Sequence, residues 1–397
     1  MPNGSSRRSA VAGSRARALL VVAALVALAG VPGPTAAATP PDLDRDGLRN
    51  TFELELSLTS PRLRDTDGDG TRDGAEDPDG DGLSNAAEQA AGSNPRLADT
   101  DGDGLGDATD PDPTHVPAPV LPGAEGCTVF PLTNVWNTRI DTRAVRSDSS
   151  TLITSIGRTL KFHMDFGSYA GYGIPYQVVD SSTPRRAVTF DYDDEADAGP
   201  YPIPDAPLIE DGSDGHMLLV DADACRLYEL YAARQDGGAW YAGSGAQWDL
   251  ASNALRPLGW TSADAAGLPI VPGLVRYDEV HAGAILHALR FTVPQTRRAY
   301  VYPARHWASS STSSSLPPMG LRFRLRKTAN LTGLSHDARV IAVALQRYGM
   351  ILADNGSPWY VSGMSDPRFD DDVLHELTRF TGADLEAVDT TGLVNGP

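Results

Sequence analysis

The sequence predicts a multidomain protein in which a rod of irregular repeats precedes a β-rich α+β domain, folded as a sandwich or jelly roll. Three observations lead to this expectation. Residues 42–112 hold 20 acidic and six basic side chains, a net charge of −14 in a chain of net charge −19. The same residues contain four similar twelve-residue segments. From residue 125 onward, short β-like runs recur between glycine, proline and aspartate. The predicted boundaries are a leader at 1–38, repeats at 42–112, a linker at 113–124 and a domain at 125–397.

The first 38 residues have the order of regions found in a secretory signal peptide. Four arginines precede an apolar run at 18–29, and the alanines 36–38 offer the small residues that signal peptidase requires. The run is short for a membrane span, so cleavage is predicted, with a retained anchor as the alternative. No other segment approaches transmembrane length. The mature protein is therefore predicted to be secreted, extracellular and without a transmembrane segment.

The distribution of charge limits the classes of partner. Nucleic acid is disfavoured, because its phosphates are bound by clustered positive charge, whereas residues 42–112 are strongly negative. Divalent cations are the natural counter-charge for such a segment. The chain has two lysines against 31 arginines and is rich in glycine and alanine, a composition that indicates a bacterial gene of high GC content.

Four twelve-residue segments, here loops 1 to 4, begin at residues 42, 65, 77 and 99 and align without gaps. Each has Asp at positions 1, 3 and 5, Gly at position 6, Asn or Asp at position 9 and a carboxylate at position 12. The predicted metal ligands are the side chains at positions 1, 3, 5, 9 and 12 and the main-chain carbonyl at position 7: Asp42, Asp44, Asp46, Leu48, Asn50, Glu53, Asp65, Asp67, Asp69, Thr71, Asp73, Glu76, Asp77, Asp79, Asp81, Leu83, Asn85, Glu88, Asp99, Asp101, Asp103, Leu105, Asp107 and Asp110.

This pattern suits calcium. Ca²⁺ takes six to eight oxygen ligands at about 2.3–2.6 Å, and alternate carboxylates on a tight loop converge on one point. Glycine at position 6 allows the sharp turn because it lacks a Cβ, and Glu at position 12 closes the shell with two oxygens. A disordered acidic linker is the alternative, but it would not repeat the same spacing four times.

The spacing of the loops distinguishes two calcium-binding architectures. Loop starts are 23, 12 and 22 residues apart, so loops 2 and 3 abut and leave no room for the helices of an EF-hand. The longer spacers, 54–64 and 89–98, both carry a Pro-Arg-Leu sequence with a serine one or two positions before it. Residues 42–112 therefore resemble thrombospondin type 3 repeats of the bacterial kind. The resemblance implies a rod that calcium ions hold together around little hydrophobic core. Loop 4 departs from it by ending in Asp110, whose side chain is shorter than Glu.

The proline-rich linker 113–124 predicts an extended spacer, and the domain that follows has recognisable elements. Strands are predicted at 217–220, 226–232, 284–293, 298–302 and 321–325. In the last of these, three arginines at 322, 324 and 326 alternate with apolar residues, which predicts a half-buried strand. Helices are predicted from a Ser335 N-cap and over 371–381, ended by Gly382.

Cys127 and Cys225 are predicted to form a disulfide in an oxidising compartment, with two free thiols as the alternative.

Catalytic signatures are weak in this domain. His375 and Glu376 lack the second histidine of a zincin, and no glycine-flanked serine elbow is present. A hairpin of the runs 284–293 and 298–302 would bring His287, Arg290, Tyr302 and His306 into one cleft. Acid–base chemistry on a glycosidic bond needs two carboxylates, for which Glu279 and Asp249 are candidates. Solvated or paired charges at strand ends are the alternative reading of these residues.

The aromatic residues suggest a polysaccharide or cell-wall partner. Several lie beside polar residues, as they do in sugar-binding sites, and core packing is the alternative: Trp240, Tyr241, Trp248, Trp260, Trp307, Trp359 and Tyr360. Three functions fit this organisation. The chain is a calcium-binding protein that positions a carbohydrate-binding module, a secreted glycoside hydrolase or lyase, or a purely structural extracellular protein.

Overall fold

The computed structural model describes residues 41–103 and 105–393. The predicted signal peptide lies outside the described residues. Within them, no helix combines the length and the apolar character needed to cross a membrane.

The repeat segment, residues 42–112, contains little regular structure. Its elements are short: helix α1 (Asn50–Phe52), a π-helical turn (Glu53–Ser57), a 3₁₀ turn (Asp73–Ala75) and helix α2 (Asn85–Ala91). The Ser84 hydroxyl accepts a hydrogen bond from the Ala87 N–H at the start of α2, the usual N-cap arrangement. Leu48 and Phe52 are the buried large apolar side chains of the segment, so its described residues contain almost no hydrophobic core.

The proline-rich linker is in contact with the domain. Val120 forms a β-bridge with Thr128, and the Val129 N–H donates to the Pro119 carbonyl at 2.6 Å. A chain that is tied back in this way is not the extended spacer that its composition predicts. The Cys127–Cys225 disulfide is present as predicted and links the start of the domain to a turn 98 residues away.

The domain is β-rich with few helices, as predicted. Its helices are α3 (Ser149–Ile156), α4 (Tyr277–Ala282), α5 (His336–Arg347) and α6 (Asp371–His375). Its strands are β1 (His163–Asp165), β2 (Tyr176–Val179), β3 (Arg185–Arg186), β4 (Val188–Phe190), β5 (Tyr201–Pro202), β6 (Met217–Asp221), β7 (Arg226–Tyr231), β8 (Arg234–Asp236), β9 (Ala239–Ala242), β10 (Ser244–Asp249), β11 (Leu289–Val293), β12 (Arg322–Leu325), β13 (Met350–Asn355), β14 (Tyr360–Ser362) and β15 (Leu385–Ala387).

The strands form four sheets among the described residues. The largest has the order β1-β14-β11-β13-β12-β15, and a second has the order β10-β7-β6-β2. Two smaller sheets are β4-β9-β8 and β3-β5. The pairs β1–β14, β11–β13, β2–β6 and β4–β9 are parallel. Sandwiches and jelly rolls are built from antiparallel sheets, so the predicted two-sheet architecture is not confirmed.

Tryptophans form much of the hydrophobic core. Trp359 is fully buried and stacks between Phe162 and Phe291, while its indole N–H donates to the Gly157 carbonyl at 2.8 Å. Trp240 and Trp248 are also buried. The core-packing alternative therefore holds for these three tryptophans, whereas Tyr241, Trp260, Trp307 and Tyr360 remain half-exposed.

The predicted run at 298–302 is not a strand. It makes a single bridge, Tyr300 to Met319, while β11 pairs with β13 and β14 instead. The expected hairpin does not form because strands from later in the sequence occupy both edges of β11. Of the two predicted helices, α5 follows Ser335 as expected. The second is shorter: α6 ends at His375 and continues as a 3₁₀ turn to Arg379.

The arginine alternation on β12 was also misleading. Arg322 and Arg324 are buried, with 0% and 6% of their surface exposed. Arg322 donates to the carbonyls of Val135 and Tyr348, and Arg324 donates to the Ile140 carbonyl at 2.5 Å. The segment 135–140 covers the face of β12 that the alternation assigns to solvent. Both faces of the strand are therefore packed, and the guanidinium groups donate hydrogen bonds to main-chain carbonyls.

Candidate functional site

The four loops share one hydrogen-bonded turn. In each, the N–H of position 7 donates to the carboxylate of position 5 at 2.7–2.8 Å. Gly47, Gly70 and Gly82, at position 6, have φ of 109°, 97° and 103°, a region that side chains with a Cβ rarely enter. The turn directs the carboxylates of positions 1, 3 and 5 toward one another. In all four loops, one oxygen from each of these three carboxylates lies within 4.8 Å of the others.

Many of these carboxylate oxygens are buried and accept no hydrogen bond. Among the described residues of the loops, one amide oxygen, on Asn85, and eleven carboxylate oxygens are of this kind, the latter on Asp44, Asp46, Glu53, Asp79, Glu88, Asp99, Asp101, Asp103 and Asp110. An unpaired buried carboxylate destabilises the folded state. Hard divalent cations bind sets of oxygen atoms of this kind. The residues present therefore fit calcium.

Two kinds of loop alternate along the segment. In loops 2 and 4, position 9 is Asp73 or Asp107, and its two oxygens accept from the N–H and hydroxyl of the threonine at position 2, at 2.7 and 2.6 Å. In loops 1 and 3, position 9 is Asn50 or Asn85. The threonine bonds fix the orientation of the aspartates.

Asp73 belongs spatially to loop 1. Its carboxylate lies within 4.8 Å of those of Asp46 and Glu53, and both Asp73 and Glu53 have no exposed surface. Gly74 packs closely on the Asp46 carbonyl, which holds the two loops together. Asp73 is predicted as a ligand of loop 2, where its charge acts on Glu76, and its carboxylate also comes close to the carboxylates of loop 1.

Loop 3 receives a similar contribution from loop 4. The Asp81 carboxylate accepts from the Ala108 N–H at 3.2 Å, and the charge of Asp107 helps to raise the pKa of Glu88. Loops 1 and 2 therefore form one pair, and loops 3 and 4 form another.

Loop 2 is more open than the others. Asp67 and Asp69 are exposed, and no side-chain oxygen of this loop is both buried and unpaired among the described residues. Loop 2 keeps the three converging aspartates, but solvent competes for them.

Burial and mutual repulsion perturb the carboxylates. Burial, together with the charges of Asp44 and Asp79 respectively, raises the pKa of Glu53 and of Glu88 to about 7. Burial likewise raises the pKa of Asp103 to about 6. Each of these groups resists ionisation because it is buried and because its neighbours are negative, and a bound cation would favour the ionised form.

Loop 4 is held against the domain. Arg347 of α5 donates to the Asp99 carboxylate at 2.7 Å, and Arg139 donates to the Gly102 carbonyl at 2.6 Å. Burial raises the pKa of Asp101, and the charge of Asp110 raises it further. The Asp110 carboxylate therefore lies close to Asp101 despite its shorter side chain. Its buried Oδ2 has no hydrogen-bond partner, so Asp110 is placed to complete loop 4.

Comparison with protein families agrees with this geometry. Residues 77–96, which hold loop 3 and the spacer after it, match the model of the bacterial TSP3 repeat. Comparisons with curated proteins and with solved structures find no match. TSP3 repeats are of the calcium-binding type, and a TSP3 repeat together with a disulfide suggests an extracellular protein.

Two catalytic candidates from the sequence form a buried ionic cluster. The Glu279 carboxylate binds Arg276 and lies 3.2 Å from His287 Nε2, while His287 Nδ1 lies 3.0 Å from the Ala288 carbonyl. Burial alone would raise the pKa of Glu279, but the charges of Arg276 and His287 outweigh it and lower the pKa. Asp249 is exposed at the end of β10. Both carboxylate oxygens of Glu279 are thus paired, one with Arg276 and the other with His287.

The other three candidates lie in separate surroundings. His306 Nδ1 lies 2.9 Å from the Ala265 carbonyl, and Tyr302 packs against a small apolar cluster with Ile140 and Val388. Arg290 lines a cavity of about 350 Å³. The structure therefore does not unite the four residues expected in one cleft, and among the described residues that line this cavity Arg290 is the one that belongs to the four.

This cavity, here the cleft, lies on one face of the six-stranded sheet. The register places Asp165 of β1 beside Ser362 of β14, and Thr292 of β11 beside both Tyr360 and Asp354. Since alternate residues of a strand share a face, these polar side chains and Arg290 project from the same face of the sheet. The intervening residues, such as Phe291 and Val361, are fully buried in the core.

An ion-pair network forms the floor of the cleft. Arg290 Nε donates to Asp264 at 2.8 Å and Nη1 donates to the Ser362 hydroxyl at 2.7 Å, while Nη2 lies 3.5 Å from Asp354. Burial alone would lower the pKa of Arg290, but the charges of Asp264 and Asp354 outweigh it and raise the pKa. Burial, followed by the charge of Asp264, raises the pKa of Asp354 to about 7.

The opposite wall is the segment 210–216. Glu210 binds His216 Nδ1, and His216 Nε2 lies 3.1 Å from the Ala263 carbonyl. Burial would raise the pKa of Glu210, but the hydrogen bond and charge of His216 outweigh it and lower the pKa. Across the cleft, burial raises the pKa of Asp165. The cleft thus contains two carboxyl groups whose pKa is raised, Asp165 and Asp354, and one, Glu210, whose pKa is lowered.

Sequence reasoning missed Asp165, Glu210, His216 and Asp354. β1 and β14 are three residues long, too short for periodicity to reveal them. The one available indication was composition: aspartate and arginine inside otherwise apolar runs, as at Asp165, Arg290 and Asp354.

Proposed function

We propose that the chain is a secreted calcium-binding protein in which Ca²⁺ ions hold the repeat segment together. The single observation that carries this proposal is the set of buried, unpaired carboxylate oxygens that converge in loops 1, 3 and 4. Without a cation these groups repel one another, and the net charge of −14 over residues 42–112 opposes a compact state. Calcium supplies the missing charge and takes up the unpaired oxygens.

The loops act in pairs. Loop 1 takes Asp42, Asp44, Asp46 and Glu53 from its own segment and Asp73 from loop 2. Asp107 of loop 4 stands near loop 3, where its charge helps to raise the pKa of Glu88, and it is the residue placed to add a carboxylate to that loop. Loop 2 gives up its position 9 side chain and is open to solvent, so it is the weakest of the four sites.

The ligand exchange between loops is tested by Asp73→Ala in the full chain. We expect calcium affinity at loop 1 to fall roughly tenfold or more, because a converging carboxylate is lost. Hydrogen exchange measured during calcium titration separates the sites: protection of residues 42–53 moves to higher calcium. Asp112→Ala is the matched control, since Asp112 is an exposed acid outside the four loops. If Asp73→Ala weakens only residues 65–76, the pairing of the loops is wrong.

For the C-terminal domain, a ligand-binding module is favoured over a purely structural one. The observation that favours it is the cleft, which is lined by the buried Arg290 in an ion pair with the buried Asp264. Burying charges costs stability, and perturbed groups at the floor of an open cavity are typical of functional sites. Carbohydrate binding and carbohydrate cleavage are both compatible with such a cleft.

A further inference from the structure

The geometry points to the cleft as a binding site for a neutral oligosaccharide, with Asp165 and Glu210 as the carboxylates that receive its hydroxyl groups. The inference rests on the proposal that the C-terminal domain binds a ligand, and it names the class of that ligand. It does not depend on the calcium sites.

The charge of the cleft excludes an anionic ligand. Asp165, Glu210 and Asp354 line it, and Asp211 and Asp214 stand at its rim. The two basic groups are already neutralised, since Arg290 is paired with Asp264 and His216 with Glu210. A phosphate or carboxylate would meet net negative charge and find no free cation among the described lining residues.

A metal ion and an apolar ligand fit equally poorly. Among the described residues, the groups whose carboxylates converge closely enough to hold an ion lie in the repeat segment, not in the cleft. The walls carry hydroxyl groups as well as carboxylates, from Tyr172, Thr292, Tyr360 and Ser362. Sites for apolar molecules are lined mainly by hydrophobic side chains, so the occupant of this cleft is a neutral molecule rich in hydroxyl groups.

The shape of the cavity favours a chain over a single small polyol. A second cavity of about 310 Å³ shares Asp214, Asp354 and Asn355 with the cleft. On the other side, further cavities share Tyr172 and Tyr360 with it. The cavities are therefore neighbours along this face of the sheet, an arrangement that suits consecutive sugar units.

The tyrosines at this second junction supply the apolar part of sugar recognition. The Tyr360 ring stacks on His163, with centroids 4.1 Å apart, and His163 Nε2 lies within hydrogen-bond distance of the Tyr172 hydroxyl. These contacts fix the rings at the edge of the groove. A ring held in this way offers its face to the C–H groups of a sugar, while the carboxylates bind the hydroxyl edge.

The test is calorimetric titration of the full chain, in saturating calcium, with neutral oligosaccharides of glucose, xylose, mannose, galactose and arabinose. We expect at least one series to bind, with affinity that rises with chain length. Asp165→Asn, Glu210→Gln and Tyr360→Ala are each expected to weaken that binding tenfold or more. These residues lie on three separate elements, so failure of one variant to fold leaves two others. Asp236→Asn, an exposed residue of β8, is the control and should bind as the unchanged chain does.

Three outcomes overturn the inference. The first is that no oligosaccharide binds, and the second is that binding is the same in all three cleft variants. The third is that spermidine, a polyamine probe for cationic ligands, binds in the cleft and loses affinity in Asp165→Asn while the oligosaccharides do not bind. In that last case the C-terminal domain is still a ligand-binding module, and only the class of ligand is wrong. Cleavage of a bound oligosaccharide that is lost in Asp165→Asn supports the inference.

Discussion

Removal of calcium is expected to unfold the repeat segment while the C-terminal domain stays folded. The segment buries few apolar side chains, Leu48 and Phe52 among them, so the hydrophobic effect contributes little to its stability. A ligand that binds only the folded state stabilises it by about 2.7 kcal/mol for each site at a hundred times its Kd. The binding free energy of four such sites exceeds the stabilisation that so small a hydrophobic core supplies. Without the ions, the negative charges of the segment repel one another.

Hydrogen exchange on the full chain, with calcium and then with EGTA, measures this effect. Amides of residues 42–110 should lose their protection in EGTA, whereas those of β11 and β13 should keep theirs, because these strands lie in a buried sheet. Sodium chloride at high concentration is the control, since it screens charge without occupying the loops. Protection that survives EGTA, or that salt alone restores, contradicts a structural role for calcium.

Local chemistry explains why the repeats were predictable. Each loop carries its three converging aspartates and the glycine of its turn within six residues, so spacing alone identifies them. What spacing cannot show is how neighbouring loops pack. Asp73 has the same position in its loop as Asn50, yet it faces the carboxylates of loop 1, because the path of the chain between the loops decides which site it reaches.

The cleft depends on contacts between distant residues. Asp165 and Ser362 are adjacent in the sheet although 197 positions separate them, and no local pattern records that pairing. Arg322 illustrates the same limit in another form. Alternation correctly separates the two faces of β12, but the covering of the second face by residues 135–140 is a tertiary event. The disulfide and helix α5 were predictable because compartment chemistry and local periodicity determine them.

Arg290→Met is expected to destabilise the C-terminal domain by about 3–5 kcal/mol, the typical cost of removing one partner from a buried ion pair. Asp264 has no exposed surface, and Asp354 lies beside it, so the substitution leaves two neighbouring carboxylates without their shared cation. Thermal and urea unfolding in saturating calcium measure the loss. Arg368→Met is the matched control, because Arg368 also pairs with two carboxylates but its side chain is 51% exposed. An exposed pair contributes about 1 kcal/mol or less.

The second substitution Asp264→Leu should recover part of the loss in Arg290→Met, because it removes a charge that the first substitution leaves unpaired. Acidic pH should also reduce the stability loss in Arg290→Met. An unpaired buried carboxylate has a raised pKa in the folded state, so its penalty is present above that pKa and decreases as the pH falls and the group takes up a proton. If Arg290→Met is no more destabilising than Arg368→Met, and its effect does not change with pH, the network at the floor of the cleft does not hold the sheet together. The charges there would then serve the ligand alone.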